Sequence, residues 1–426
     1  MAWPPTRYFS REQDEALIPL QDIIPFILHA QLSLLLNPLF WLLVLLVGYQ
    51  YRRVARLKQE LFGVGGEPVW QYTLLATFHG LLGGLGGSFV MVLVGVSLSN
   101  IGISYLWGLA LLLMLLSPRF LCFSYAGGIV SLVSLIFGWP QVDVPHLMGL
   151  IAVLHMVEAV LIRISGHLGA VPVYTEHRGQ VVGAFNMQKF WPIPIAALAL
   201  VSLPPWLQAG GVVSMPDWWP LIRPAVMPDP EEALFVVLPV AAGLGYGDVA
   251  ITTSPEQKSR VSARHLAVYS LILLGLAILA SYVRSLAWLA ALFAPLGHEC
   301  TIWLGRRAEA KGQAFYVFTE SGARILDVTK NSAAARLGLR SGDIILEVNG
   351  FPVTGRASLA EAVSAGGGRL EVRFYQRESG QERVAVTYKG PDEPLGTILV
   401  PEPGDKPQVE LSTRGWLYWW WRQHKG

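Results

Sequence analysis

The chain has 426 residues; 53% are hydrophobic, only 15% are charged, and the formal net charge is +2. A soluble domain ordinarily carries about 25% charged residues, and here the apolar surplus forms long runs before residue 300, so a purely soluble protein is excluded. No basic stretch is interleaved with aromatics, which argues against nucleic acid, and the two distant cysteines, Cys122 and Cys300, without any CxxC, argue against a disulfide framework or a zinc ribbon.

Residues 1–31 are mixed, and the run 17–30 is broken by Pro19, Gln21, Asp22 and Pro25, so this part reads as an interfacial segment. The run 32–49 reads as the first membrane span. Arg52, Arg53, Arg56 and Lys58 come at once after it and place that loop in the cytoplasm. No cleavable signal peptide is evident, because no small-residue cleavage site comes after this run. A second span, 72–98, contains Gly80, Gly83, Gly84, Gly86 and Gly87, small residues that let helices approach closely in lipid. Spans three to five are read at 99–117, 120–139 and 146–164. The polar stretch 171–189 reads as a loop, 193–206 as a short sixth span and 233–251 as a seventh. Between these two, the acidic, Trp- and Pro-rich stretch 208–232 suits the membrane interface. A basic loop, 252–264, leads to the apolar run 265–296, which holds Arg284 and crosses once or twice. The expectation is a polytopic helical membrane domain over 32–300 with about seven to nine spans. Arg306, Arg307 and Lys311 then favour the cytoplasm for the C-terminal part of the chain.

The segment 322–353 has a different character. Residues 324–328 alternate as a strand. Asn331-Ser332 offers a helix N-cap, 333–337 a short Ala-rich helix, and Gly338 its stop. Ser341-Gly342-Asp343 turns the chain into a strand at 344–348, and Asn349-Gly350 is a hairpin signal. A second helix is expected at 358–365, strands at 369–377 and 382–388, and a last strand at 395–400. This order resembles a bacterial PDZ domain, a small α+β fold, placed at 312–400. PDZ domains add a peptide tail as a strand to a sheet edge. The Gly-rich turn that opens the binding strand stands here at the end, in Pro394-Leu395-Gly396-Thr397-Ile398, so a circularly permuted PDZ is expected. Its groove would lie between Leu395, Gly396, Thr397 and Ile398 and the helix bearing Leu359 and Val363. A fold used only for packing is the competing reading, and Phe315 to Phe318 a rival but glycine-free place for the turn. Residues 401–426 read as a Pro-rich linker and a Trp-rich tail, from Trp416 to Arg422, suited to an interface.

Two polar constellations interrupt the apolar runs. His298-Glu299 starts an HExxH-like motif, whose two histidines share a helix face and bind one metal. The second ligand position is Ile302, so the motif is incomplete. His155 and Glu158 sit three apart on one helix face within a span. Such a pair is either functional or a buried hydrogen-bonding pair that fixes the bundle, and the second reading is preferred. No catalytic residue, metal ligand or cofactor is assigned. An intramembrane site-2-type metalloprotease, or an inactive relative, is the alternative.

Leu154-His155 with Glu158, Phe190-Trp191-Pro192-Ile193-Pro194, Gly245-Tyr246-Gly247-Asp248, His298-Glu299 and the closing Leu395-Gly396-Thr397-Ile398-Leu399-Val400-Pro401 resemble the MinJ family of cell-division topological determinants of Gram-positive bacteria. The resemblance implies a non-enzymatic, multi-pass membrane adaptor with a cytoplasmic PDZ domain. It also implies protein partners: a DivIVA-like polar scaffold and a MinD-like ATPase, with a second copy of the chain open as a further partner.

Overall fold

The computed structural model describes residues 8–11, 18–63, 68–202, 212–225 and 233–408. The Trp-rich tail, and parts of the N-terminal segment and of the 208–232 stretch, lie outside the described residues. A short strand β1 (Tyr8–Arg11) precedes helices α1 (Leu20–Leu35), α2 (Pro38–Phe62), α3 (Val69–Val94), α4 (Ile103–Leu116), α5 (Phe123–Phe137) and α6 (Val144–Ser165). Strands β2 (Val171–His177), β3 (Gln180–Ser202), β4 (Val212–Met215) and β5 (Ala233–Ala250) come next, then helices α7 (Pro255–Tyr282) and α8 (Leu286–Lys311). The C-terminal region adds β6 (Ala323–Val328), α9 (Ala333–Arg336), β7 (Ile344–Val348), β8 (Phe351–Pro352), α10 (Arg356–Ala365), β9 (Arg369–Gln376), β10 (Gln381–Tyr388) and β11 (Thr397–Leu399).

The expected seven to nine spans are too many. Among the described residues, 3 helices, α3, α6 and α7, are long and apolar enough to cross a bilayer, and α1 with α2, bent by 68° at their junction, make a fourth if the bent pair is one span. The bend has a local cause: Asn37 caps α2, accepting from the Leu39 N–H at 2.9 Å, with Pro38 at the first helical position. Helices α4 and α5 are shorter apolar helices. The run 265–296 divides between α7 and α8, with Arg284 at the break.

Over their described residues, the sixth and seventh expected spans are strands. β3 and β5 pair antiparallel from Phe185↔Ala250 to Ser202↔Ala233. Pro192 and Pro194 lack the N–H an interior helix needs. Gly243, Gly245 and Gly247 recur with the strand period of two, not the helix period. Gly245 leaves room for the facing Phe190 ring, whose Cδ1 would stand 3.3 Å from an added Cβ.

A strand edge in an apolar medium must satisfy its backbone groups. Beyond residue 186, where β2 ends its pairing, that edge of β3 lies against α3. Pro192 and Pro194 have no N–H to satisfy. The Ala196 N–H donates to Ser88 Oγ at 2.8 Å, and the Leu200 N–H to Ser99 Oγ at 2.9 Å. Leu98 N–H donates to the Leu198 carbonyl at 2.7 Å, and Gln31 Nε2 to the Pro194 carbonyl at 3.2 Å. The helix approaches this closely because its contact residues are small: a Cβ on Gly80 or Gly84 would fall 2.1 Å from Pro192 O or 2.0 Å from Pro194 O.

A buried cation joins this sheet to the last helices. Lys258, 4% exposed, pairs with Glu309 at 3.2 Å and Asp248 at 3.4 Å. Glu309, near the end of α8, also accepts from the Ile251 and Thr252 N–H groups at 3.0 and 2.8 Å, past the end of β5.

The C-terminal region obeys its local signals. Ser332 caps α9, accepting from the Ala335 N–H at 3.3 Å. Asn349 and Gly350 take φ of 52° and 79°, the left-handed pair a two-residue hairpin needs. The sheet runs β10-β9-β7-β6-β11, with β8 paired to β7. Its core includes Ile325, Leu337, Ile345, Leu359, Leu370, Phe374, Leu395 and Leu399. Ile398 and Val400 pack instead, together with Tyr316 and Leu326, in the large core of the membrane region, so β11 is shared between the two cores.

Candidate functional site

A groove of about 540 Å³ lies between β11 and α10. Leu359 and Val363 from α10, and Leu395, Gly396, Thr397 and Ile398 from the closing segment, all line it. Leu359 and Leu395 double as core residues, and the Ile398 side chain packs in the opposite core. Arg356, Lys389 and Glu393 supply the charge along the walls. Leu61 and Phe62 at the end of α2, together with Tyr174 of β2, also line it. These three come from the membrane region, and nothing in their local sequence points to the groove.

The turn that opens β11 has a defined polarity. The Leu395 carbonyl accepts from Ala334 N–H at 2.9 Å, and the Gly396 carbonyl from Thr329 N–H at 2.8 Å. In a trans peptide the N–H points opposite to its carbonyl. The Gly396 and Thr397 N–H groups therefore point away from α9 and β6. Gly396 has φ of 83°, and a Cβ there would meet Ser332 Cβ at 2.2 Å, so glycine is required both by conformation and by space. β11 pairs with β6 on one side, and among the described residues no strand pairs with its other side. An edge strand beside a helix, with N–H groups aimed away from the domain interior, can take up an extended peptide.

Tyr174 ties this site to the membrane region. Its hydroxyl donates to the Leu399 carbonyl at 2.8 Å, and its ring meets Phe62 edge-on with centroids 5.4 Å apart. Burial pushes the phenol above its ordinary pKa, which keeps the donor protonated. Tyr174→Phe is expected to raise amide exchange across β11 about fivefold, the effect of losing about 1 kcal/mol with one hydrogen bond; unchanged exchange by mass spectrometry would dismiss this strap.

The polar residues of the apolar runs meet elsewhere. His155 on α6 and His298 on α8 face each other with ring centroids 5.2 Å apart. Cys122, just before α5, places Sγ 3.1 Å from His155 Nε2 and 3.7 Å from His298 Nε2. Glu158 is half-buried on the His155 face of α6. Glu299 pairs with Arg119 at 3.1 Å and accepts from the Tyr125 hydroxyl at 2.6 Å. Spacing along the chain presents His155-Glu158 and His298-Glu299 as separate pairs and gives no role to Cys122. The only usable signal is that each interrupts an apolar stretch. The HExxH reading gains nothing, since the second ligand position remains Ile302.

Comparison with known proteins adds two findings. Residues 324–377 match the PDZ domain family. The chain is also 25% identical over 411 residues to the cell division topological determinant MinJ of Bacillus subtilis (strain 168), an alignment covering 86% of this chain and 92% of that protein.

Proposed function

We propose that this MinJ-like chain is a multi-pass membrane adaptor in division-site selection, whose PDZ groove captures an extended segment of a partner protein. The observation that carries the groove is the turn at Leu395-Gly396, with its N–H groups aimed away from the domain interior, and the side of β11 facing α10, which among the described residues carries the Tyr174 hydroxyl at Leu399 but no strand. A terminal carboxylate would sit on the Gly396 and Thr397 N–H groups, the tail would lie along β11, and its side chains would meet Leu359 and Val363. In this reading the binding strand closes the domain in chain order, which is the permuted PDZ arrangement, and the domain spans 312–400.

The resemblance to MinJ supports the division context, and within it a DivIVA-like polar scaffold and a MinD-like ATPase as the two partners bridged. A cytoplasmic PDZ domain agrees with the cluster Arg52, Arg53, Arg56 and Lys58 at the end of α2. Lys58 reaches Asp327 of β6 at 2.9 Å, so the basic end of that helix and the PDZ region share one side. The adaptor acts without chemistry of its own in this reading, by holding a peptide-binding edge at the bilayer.

The test is binding by the full chain in nanodiscs. Val363→Asp puts a charge into the groove wall, and Gly396→Trp breaks the turn at its head, where a side chain collides with Ser332. Each is expected to weaken capture of a DivIVA-like or MinD-like partner at least about tenfold, a loss of about 1.4 kcal/mol. A partner held equally by wild type and both variants would remove the groove from the account.

A further inference from the structure

We propose that Cys122 Sγ, His155 Nε2 and His298 Nε2 form a binding site for a divalent transition metal of the zinc class, within the bundle where α5, α6 and α8 meet. This goes beyond the adaptor role and does not depend on the PDZ groove.

The first support is distance. The three ligand atoms lie within 4.8 Å of one another. Zinc binds sulfur at about 2.3 Å and imidazole nitrogen at about 2.0–2.1 Å in tetrahedral geometry, which separates the two ligand atoms by about 3.6 Å. Here Sγ stands 3.1 and 3.7 Å from the two nitrogens.

The second support is where the lone pairs point. His155 Nδ1 is 2.7 Å from the Ile151 carbonyl, which can only accept, so Nδ1 carries the hydrogen. The neutral ring then presents Nε2 as a bare lone pair. His298 Nδ1 is 3.3 Å from the Tyr125 hydroxyl oxygen, and that hydroxyl donates its proton to Glu299 at 2.6 Å. His298 Nδ1 is therefore the donor, and its Nε2 is bare as well. Both rings are oriented by a hydrogen bond on the far nitrogen, the usual support for a metal-bound histidine.

The third support is a proton count. Two bare nitrogens converge on one thiol, which has one hydrogen to give. Ser124 Oγ is 3.2 Å from His155 Nε2, but it also lies 2.8 Å from the Tyr269 hydroxyl. Tyr269 donates to the Ala294 carbonyl at 2.9 Å, so Ser124 must donate to Tyr269. A cation bound by the thiolate and both nitrogens engages all three ligands at once. One sulfur with two imidazoles selects zinc, cobalt or a similar ion and disfavours magnesium and calcium, which prefer oxygen. The ligands come from three segments far apart in sequence, and one of them, α8, runs to Lys311 just ahead of the PDZ region. A bound ion would fix that helix against α5 and α6.

Cobalt titration of metal-depleted full-length protein in detergent tests the site. Wild type is expected to bind roughly one Co²⁺ per chain, with a thiolate-to-cobalt charge-transfer band that Zn²⁺ abolishes. Cys122→Ser is expected to lose the band, His155→Gln and His298→Ala to weaken uptake at least about tenfold, and Cys300→Ser, at an exposed cysteine, to change nothing. Wild type without saturable uptake or without the band would overturn the proposal, as would a band retained in Cys122→Ser. The wild-type titration decides the matter even where a variant fails to fold.

Discussion

Gly84→Leu is expected to destabilise the membrane region by more than about 3 kcal/mol, beyond the range in which overpacked sites usually relax. A side chain at this position starts 2.0 Å from the Pro194 carbonyl oxygen, a backbone atom of a strand paired along its length. Neither partner can turn aside as a flexible side chain would. Moving α3 away would also pull Ser88 from the Ala196 N–H and leave that group unpaired in an apolar setting. Gly86→Leu is the matched control, because nothing lies within 4 Å of a Cβ there. Thermal unfolding of the two variants in one detergent should separate them widely, and equal midpoints would refute a tight helix-strand seam.

Glu309→Ala is expected to cost about 3–5 kcal/mol, the penalty for leaving a buried charge without its partner. Lys258 would keep Asp248, at 3.4 Å, as its charged partner, with the Gly305 carbonyl at 3.5 Å beside it. The Ile251 and Thr252 N–H groups would lose their acceptor at the same time. Lys258→Met added to Glu309→Ala should recover part of the loss, since the uncompensated cation is then gone. A double-mutant cycle measures that recovery, and purely additive effects would mean that the pair is not coupled. The defect should also loosen the PDZ region, because Glu309 fixes the last turn of the helix that leads into it.

The C-terminal region is legible in the sequence because its signals are local. A cap at Ser332, a stop at Gly338 and the Asn349-Gly350 turn each act within a few residues, and the structure uses all three. The strands β3 and β5 pass for spans for a physical reason: a long apolar run suits either a buried helix or a buried strand, and hydropathy does not separate them. The discriminating features are present, in prolines two apart at 192 and 194 and glycines two apart at 243, 245 and 247. Gly80 and Gly84, aligned on a face of α3, suit the approach of another helix, and they receive the carbonyls of β3 instead. The cluster at Cys122, His155 and His298 cannot be assembled from spacing, because it depends on how α5, α6 and α8 pack.

The seam between α3 and β3 also governs how neighbouring copies can meet. An open strand edge invites pairing with the same edge of another molecule, and so swapping or fibre growth. Here prolines remove two of the donors and serines on α3 and just after it occupy others, so a second chain finds no ladder to extend. Along this edge of β3, contact between copies then has to run through helix faces, which part again readily, rather than through shared backbone bonds, which do not.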